Sequence, residues 1–192
     1  MTDAVKDKKL HRNERRQAII AGAAEAFVKH GYEATSLDDV AQAASISRAL
    51  LYRHFDTKKA IYQAVIDNFL ATFHGSVAAN ADKRFSGDTL SGLVQAAQSD
   101  PNGFRLFFRH AVREPDFQAY YDELVSKRVA YIEAALKQFI ASKKERRFKA
   151  ELMQELVIGT ILIWLDNGMP KPESLPRLLG NIVSNVLQED EI

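Results

Sequence analysis

Apolar residues recur along this 192-residue chain at the three- and four-residue spacing of amphipathic helices. The clearest stripe is the last one, from Leu175 to Leu187, which repeats at i, i+3 and i+4. The period-2 alternation that is typical of β-strands is missing. The pattern therefore predicts an all-α protein with about nine helices.

The predicted helices form two parts. The first three are short and closely spaced: the first ends at Gly31, a predicted left-handed cap, and the third follows Ser47, a predicted N-cap. A long fourth helix, apolar at every fourth position from Ile61 to Val77, connects them to longer helices. We therefore expect an N-terminal domain over residues 1–57 and a second helical domain over residues 58–192.

Three stretches of the second part carry further local predictions. The polar segment from Asn80 to Asp88 is predicted to be a loop. The stretch from Phe104 to Val112 is predicted to be one amphipathic helix that stops at Glu114-Pro115. The charged run from Lys143 to Arg147 is predicted to interrupt the helices on either side of it.

The second and third helices are joined by the short segment Ala44-Ser45-Ile46-Ser47. Two short helices with a turn of this length are typical of a helix-turn-helix, whose second helix enters the major groove of DNA. Apolar side chains fix the angle between the helices from the inside: Val40, Ala41, Ile46, Leu51 and Phe55.

Residues 15–62 resemble the signature of the TetR family of regulators. The resemblance rests on Gly31-Tyr32, Thr35-Ser36, Val40-Ala41, Ala44-Ser45-Ile46-Ser47, Leu51-Tyr52, His54-Phe55 and Lys58. The helix number and the chain length also suit that family. One position departs from it, because Ser45 stands where the turn usually has glycine. That position favours a left-handed backbone, so we expect a strain of roughly 1 kcal/mol at Ser45.

The resemblance implies a DNA-binding role for the N-terminal domain. Arg48, Ala49 and Leu50 occupy base-facing positions, and Arg48 is suited to guanine O6 and N7. Tyr52 and His54 occupy phosphate-binding positions, and Lys58 occupies the position of the basic residue that opens the fourth helix. Thr35 and Ser36 lie at a helix N-terminus, where backbone N–H groups and a hydroxyl can hold a phosphate. The complete predicted set is Thr35, Ser36, Ser47, Arg48, Ala49, Leu50, Tyr52, Arg53, His54 and Lys58.

Several of these residues have a plainer interpretation. The ring of Tyr52 could pack on the first helix and leave its hydroxyl for DNA. His54 could be a solvated surface residue, and Arg53 could reach water instead of phosphate. Lys58 could pair with a nearby carboxylate such as Asp56.

Net charge is +1 over the whole chain, but it is unevenly distributed. Residues 1–60 have eleven Lys or Arg against eight Asp or Glu, and the remaining 132 residues have fifteen against seventeen. The excess in the first part could neutralise DNA phosphates, or it could belong to a disordered tail. The basic residues of this N-terminal arm are Lys6, Lys8, Lys9, Arg12, Arg15 and Arg16.

The resemblance also implies that the later helices bind a small-molecule effector in an apolar pocket. The predicted pocket residues are aromatic, although aromatic residues at helical spacing can equally be plain core: Phe104, Phe107, Phe108, Tyr120, Tyr121 and Trp164, with Phe117 nearby. Four basic residues of the same region could meet an anionic ligand or form a solvated face with Glu114 or Asp116: Arg105, Arg109, His110 and Arg113.

Two apolar helices, about Ala150–Asn167 and Ser174–Gln188, are expected to form a homodimer interface of four helices. The alternative is that the first of them is the central core helix of a monomer. The predicted interface residues are Leu156, Gly159, Ile163, Leu175, Leu179, Ile182, Val183 and Val186.

Composition and motifs argue against other classes. The sequence has no cysteine, which excludes disulfides and thiolate chemistry, and its charged N-terminus is not a signal peptide. The longest apolar run, Leu156 to Leu165, is shorter than the roughly 20 residues of a membrane helix, so we expect a soluble, cytoplasmic protein without a membrane partner. We expect neither an enzyme nor a cofactor, because the histidines are scattered and nucleotide-binding and hydrolase motifs are missing. His110 and Glu114 could form half of a metal site or a surface ion pair.

The working hypothesis is a repressor that binds a palindromic operator in double-stranded DNA and is released when an unidentified effector tilts the fourth helix. The sequence leaves two alternatives open: a helix-turn-helix protein without an effector, and an activator of the same family.

Overall fold

The computed structural model describes residues 3–79 and 87–188, and within these ranges the chain is all-α, as predicted. The predicted loop from Asn80 to Asp88 lies outside the described residues, except that Gly87 and Asp88 begin a helix. Nine α-helices occur in the described ranges: α1 Asp3–His30, α2 Leu37–Ala43, α3 Arg48–Tyr52, α4 Lys58–Ala79, α5 Gly87–Ser99, α6 Pro101–Arg105, α7 Gln118–Leu136, α8 Lys143–Asp166 and α9 Leu175–Gln188.

Helices α1, α2 and α3 form the helix-turn-helix unit. Ile19, Ala23 and Phe27 bury one face of α1, which ends where Gly31 takes a φ of 80°. Gly22 allows α2 to come close, since a Cβ there would lie 2.5 Å from the backbone nitrogen of Ala44. A larger residue at position 22 would therefore push the turn away from α1.

The turn between α2 and α3 contains the strained residue that the sequence predicted. Ser45 has a φ of 53°, in the left-handed region that a serine side chain disfavours. The amide of Ser45 donates to the carbonyl of Gln42, and the amide of Ile46 donates to the carbonyl of Ala41. These bonds hold the left-handed residue in place and fix the direction in which α3 leaves the turn.

Helices α4 to α9 form the larger part of the fold. Helix α4 packs on α5, α7 packs on α8, and α9 packs on both α5 and α8. Their buried residues merge with those of α1 into one continuous hydrophobic core. Because α1 also packs on α4 and α6, the helix-turn-helix unit rests directly on the helices behind it.

Two local predictions in this region are wrong. The stretch from Phe104 to Val112 is not one regular helix: α6 is followed by a π-helical turn, Leu106–His110, and a 3-10 turn, Ala111–Arg113. The charged run from Lys143 to Arg147 is the first turn of α8, because the Ser142 hydroxyl accepts a hydrogen bond from the amide of Glu145 and starts the helix there.

An aromatic cluster lies where the helix-turn-helix unit meets the larger part. Phe27 of α1, Tyr32 of the following loop and Tyr62 of α4 meet Phe117, with the rings of Tyr62 and Phe117 4.3 Å apart. Phe117 therefore belongs to this junction cluster and not to the predicted effector pocket. The Tyr62 hydroxyl is buried and has no hydrogen-bond partner among the described residues, and burial raises its pKa.

Within the described residues, none of the helices combines the length and the apolar character that crossing a bilayer requires.

Candidate nucleic-acid interface and effector core

Side-chain caps hold the two short helices of the helix-turn-helix in place. Ser36 and Asp39 form a capping box at the start of α2, with the Ser36 amide 2.8 Å from Asp39 Oδ2. Ser47 Oγ accepts a hydrogen bond of 3.2 Å from the amide of Leu50 and so caps α3. Leu51 is fully buried and attaches α3 to the hydrophobic core. A five-residue helix thus has a fixed position despite its length.

Arg48 lies on the outer surface of α3, with 56% of its side chain exposed. Its guanidinium donates through Nη1 to Asp38 Oδ2 at 3.0 Å and through Nη2 to the Tyr52 hydroxyl at 3.3 Å. It also lies 5.6 Å from the centroid of the Tyr52 ring. The residue that we expect to read a base is therefore held in an outward orientation. The ion pair between Arg48 and Asp38 was not among the predictions from the sequence.

Apart from Leu51, the other residues of α3 and the two residues that follow it are also accessible. Ala49 and Arg53 are exposed, and Leu50 and His54 are half-buried. The ring of Tyr52 is 44% exposed beside Arg48, which differs from the alternative of a ring packed on α1. This surface offers two cations, a hydroxyl and small apolar groups to the outside.

The basic residues of α1 lie next to the end of α3. The guanidinium carbon of Arg16 is 5.3 Å from the centroid of the Phe55 ring. Partial burial, together with the charges of Arg12, Arg15 and Arg16, lowers the pKa of His54. The helix α1 begins at Asp3, so the basic arm is continuous with it, while the side chains of Lys6, Lys8 and Lys9 lie outside the description.

Thr35 is not available to a phosphate, so that prediction is wrong. Its side chain is 2% exposed, and its hydroxyl lies 2.5 Å from the carbonyl oxygen of Gly31 and 3.3 Å from that of Ala26. The neighbouring Ser36 hydroxyl donates to Asp39 Oδ2 at 2.6 Å. That hydrogen bond lowers the pKa of Asp39, so a carboxylate occupies the helix terminus that we expected to hold a phosphate.

Lys58 also has a different role from the one predicted. Its ammonium donates to the carbonyl oxygens of Tyr32 at 2.8 Å and Glu33 at 3.0 Å, and it lies 4.7 Å from the centroid of the Tyr32 ring. Lys58 therefore fastens the loop between α1 and α2 to the start of α4. Neither a phosphate-binding role nor the alternative pair with Asp56 describes these contacts.

Four of the six predicted pocket residues lie together. Phe104, Phe107 and Phe108 are buried, and the ring of Tyr121 is 6.0 Å from Phe107 and 6.4 Å from Phe108. Phe69 and Phe73 of α4 complete this group, which we call the effector core. Its members Phe107 and Phe108 are carried by the π-helical turn, an irregularity that is frequent at functional sites.

The other two predicted pocket residues do not belong to the effector core. Tyr120 is on the exposed side of α7, and the indole of Trp164 donates to the carbonyl of Pro170 at 2.8 Å, beyond the end of α8. Two clefts, of about 240 and 160 Å³, lie elsewhere. The first is formed by α1 and α2, and the second by α1, α4 and the end of α5. Tyr120 and Trp164 thus lie apart from the other four residues, and a common ligand-binding role of all six stays a prediction.

The basic residues that were predicted to meet an anionic ligand near α6 are partly neutralised by a carboxylate of the same chain. Arg105 and Arg109 both pair with Asp166, at 3.0 and 2.5 Å, and Arg105 also donates to the carbonyl of Leu165. The expected partner Asp116 pairs instead with Lys59, at 2.8 Å. No group of three or more His, Asp or Glu residues in the described ranges could hold a metal ion, and partial burial lowers the pKa of His110.

A different cation lies beside the effector core. The guanidinium of Arg128 is 5.5 Å from the centroid of the Phe73 ring, and its Nε donates to Gln154 Oε1 at 2.8 Å. Arg128 was not predicted as a site residue, although its spacing indicates that it faces the interior. It lies four residues from both Leu124 and Ile132, on the buried stripe of α7.

The outer face of α8 is apolar and uncovered in the protomer. Leu156 is 37% and Ile163 64% exposed, and a Cβ on Gly159 would contact nothing within 4 Å. Phe148, 63% exposed, lies two helical turns before Leu156 on the same face, and Leu178 of α9 is half exposed. Neither Phe148 nor Leu178 was among the predicted interface residues.

Four predicted interface residues of α9 belong to the interior of the protomer. Leu175, Leu179, Val183 and Val186 are all buried where α9 packs on α5 and α8. Their prediction as interface residues is wrong, because the apolar stripe of α9 faces its own chain. Ile182 is half-buried at the edge of that stripe.

Comparison with known proteins identifies similar regulators. Residues 19–65 match the family model described as "Bacterial regulatory proteins, tetR family". The HTH-type transcriptional activator FasR of Mycolicibacterium smegmatis is 28% identical over 178 residues, which cover 84% of this chain and 77% of FasR. The negative transcriptional regulator IcaR of the biofilm operon icaADBC in Staphylococcus epidermidis is 35% identical over 77 residues, 40% of each protein.

Solved structures share the fold. A TetR-like transcriptional regulator from Rhodococcus sp. RHA1 is 20% identical and superposes with a TM-score of 0.71, covering 90% of this chain and 95% of its own. The regulator FadR from Bacillus subtilis, solved in complex with stearoyl-CoA, is 15% identical and superposes with a TM-score of 0.59, covering 90% and 97%.

Proposed function

Because this chain belongs to the TetR family of bacterial regulatory proteins, we propose that it is a homodimeric repressor that a small molecule releases from a palindromic operator. Like its relatives, it is a DNA-binding transcriptional regulator and not an enzyme. The observation that carries the proposal is the outward position of Arg48 on a capped recognition helix, with the arginines of α1 beside it.

DNA reading is assigned to α3 in the major groove. Arg48 is the base-reading residue, with guanine as its natural partner, since its guanidinium is exposed and can donate two parallel hydrogen bonds. Phosphate binding is assigned to residues that surround it: Tyr52, Arg53, His54, Arg12, Arg15 and Arg16. Ser47, Ala49 and Leu50 complete the surface that faces DNA, whereas Thr35 and Lys58 act inside the domain.

Dimerisation is assigned to the outer face of α8, with Leu178 and Ile182 of α9 beside it. Phe148, Leu156 and Ile163 are large apolar side chains exposed along one helix, which is typical of a surface that a partner covers. The open Gly159 would let two α8 helices approach closely. A two-fold axis through this face would present two α3 helices to one side of DNA, and they should lie about one turn apart, roughly 34–36 Å.

Effector release is assigned to the contact between the effector core and α1. Helix α1 packs on α6 and on the π-helical turn that carries Phe107 and Phe108. A ligand that shifted this turn would displace α1 and with it the recognition helix. The complex of the Bacillus subtilis neighbour with stearoyl-CoA supports a molecule with an acyl chain as the effector class.

The test is a titration of the protein–DNA complex. The fluorescence anisotropy of a labelled duplex, obtained by selection from random DNA, is followed while decanoyl-CoA or stearoyl-CoA is added. We expect the acyl-CoA to lower operator affinity and to raise the thermal stability of the protein. An acyl-CoA that stabilises the protein but leaves operator affinity unchanged would show that the proposed coupling is wrong.

Activation is the second candidate, because the relative FasR is an activator. A reporter gene placed behind the selected operator distinguishes the two. Repression predicts that deletion of the regulator raises transcription, and activation predicts that deletion lowers it.

A further inference from the structure

Arg128 is a charged residue in an apolar setting. It lies on the buried stripe of α7, partly buried, between Phe73 of α4 and Gln154 of α8. Gln154 is itself 2% exposed and carries no charge. In the described part of the chain no carboxylate forms an ion pair with Arg128, in contrast to Arg105, whose guanidinium is neutralised by Asp166.

Such a charge is costly for the unliganded protein. Transfer of a guanidinium from water into an apolar interior is unfavourable unless a counter-charge or several hydrogen bonds compensate for it. One hydrogen bond to Gln154 and the face of the Phe73 ring compensate in part. Burial lowers the pKa of Arg128 to about 10, so the group stays charged at neutral pH. The remaining N–H groups are available to an anion.

The residues around Arg128 indicate which kind of molecule would carry that anionic group. The Phe73 ring lies 6.1 Å from Phe108, which contacts Phe107 and Tyr121, so the guanidinium borders directly on the effector core. A ligand that reached both would need an anionic end and an apolar body. A carboxylate suits the anionic end, because its two oxygens match the parallel N–H groups of a guanidinium.

We propose that Arg128 is the anion-binding residue of the effector site and holds the carboxylate of a small amphiphilic acid whose apolar chain lies against Phe73 and Phe108. The inference rests on the proposed function in one respect only, namely that the helices behind the DNA-binding domain bind an effector. It goes further in naming the residue and in favouring an acid over a neutral molecule of the same chain length.

The test measures binding by isothermal titration calorimetry with three probes of equal chain length: decanoate, decanol and decanoyl-CoA. The variant Arg128→Met removes the charge and keeps an unbranched side chain that can cover the Phe73 ring in part. The matched control is Lys127→Met, which removes the same charge from the exposed neighbour on α7, where Lys127 pairs with Glu123. Arg128→Lys, which keeps the charge without the paired N–H geometry, is the second variant.

We expect wild type and Lys127→Met to bind decanoate equally well, and Arg128→Met to bind it at least about 30-fold more weakly, since loss of one partner of a buried charge pair is severe. Arg128→Lys should lie between them. Binding of decanol should be the same in all four proteins. Thermal unfolding without ligand should show Arg128→Met to be no less stable than Lys127→Met, because the substitution removes a charge that Gln154 and the Phe73 ring compensate only in part.

Two results would overturn the proposal: decanoate that binds wild type and Arg128→Met alike, or wild type that binds decanol or decanoyl-CoA but not decanoate. An unliganded Arg128→Met that is much less stable than Lys127→Met while it keeps decanoate affinity would make Arg128 a structural residue. If the proposed function is wrong and the ligand site is right, the two measurements will disagree. Decanoate would bind through Arg128, yet the anisotropy of the protein–operator complex would not change.

Discussion

Ser45 shows how a single side chain limits the stability of the helix-turn-helix. Its φ of 53° costs a serine roughly 1 kcal/mol, whereas glycine adopts this conformation without a steric penalty. Part of the gain from glycine is lost because glycine is also freer in the unfolded chain.

We therefore expect Ser45→Gly to raise the free energy of unfolding by about 0.5 kcal/mol. Urea denaturation with wild type as the reference measures this change. Ser45→Ala keeps the strain and serves as the control, and a Ser45→Gly variant less stable than Ser45→Ala would contradict the assignment.

Residue roles that depend on local contacts could be predicted from the sequence, and roles that depend on distant contacts could not. The cap at Ser47 follows from the local chain, and the left-handed conformation of Ser45 was expected from the family resemblance, because the turn usually has glycine there. The hydrogen bonds of Lys58 reach back to residues 25 and 26 positions earlier, and nothing in the local sequence indicates them. Residue types therefore showed which side chains could bind DNA, but not which of them the fold had already engaged.

At the level of helices, the approach of α2 to α1 depends on one glycine. A Cβ on Gly22 would lie 2.5 Å from the nitrogen of Ala44, within backbone that cannot move without shifting the turn. Overpacking of this kind costs about 1–3 kcal/mol.

Gly22→Ala is accordingly expected to lower the free energy of unfolding by about 1–3 kcal/mol and to weaken DNA binding, since the turn carries α3. Gly75→Ala is the matched control, because a Cβ there contacts nothing within 4 Å and alanine is the better helix former by about 1 kcal/mol. Equal stability of the two variants in a denaturant titration would refute the close packing.

The sequence predicted helices better than it predicted their interruptions and their partners. Helical periodicity identified α4, α7, α8 and α9, but it carries no signal for the π-helical turn at Leu106–His110. The stripe of α9 was recognised correctly and assigned to the wrong partner, because periodicity shows that a face is buried without showing what covers it.

The whole molecule should lose stability as the pH falls, through two histidines. Partial burial and nearby arginines lower the pKa of His54 and of His110, so the folded state binds protons less readily than the unfolded state does. Their contribution is complete above an unfolded pKa of about 6.5 and is lost as the pH falls through that value towards the folded pKa values.

Thermal unfolding between pH 8 and pH 5.5 should therefore show a falling midpoint for wild type and a smaller fall for the double variant His54→Gln, His110→Gln. Parallel curves for the two proteins would mean that neither histidine is responsible.

The oligomeric state depends on the outer face of α8. Ile163, 64% exposed in the protomer, should be covered in a dimer. Two-fold symmetry places one Ile163 from each protomer in the interface, so a substitution removes both side chains. Burial of such a side chain contributes about 1.5–3 kcal/mol, so Ile163→Glu should weaken the dimer by at least about 100-fold.

Sedimentation velocity of Ile163→Glu beside Phe139→Glu measures this effect. Phe139 is about equally exposed, but it belongs to the segment between α7 and α8 and not to α8 itself. We expect a monomer for the first variant and a dimer for the second, and a dimer for both would remove α8 from the interface.

The central claim is that α3 reads DNA through Arg48, twice in each dimer. Selection from random duplex DNA with wild type and Arg48→Ala tests it most directly. Wild type should yield a palindrome with half-sites about 10 base pairs apart, and Arg48→Ala should lose preference at one base pair in each half, at a cost of about 1–3 kcal/mol. An unpaired site for wild type, or the same motif for both proteins, would contradict the account.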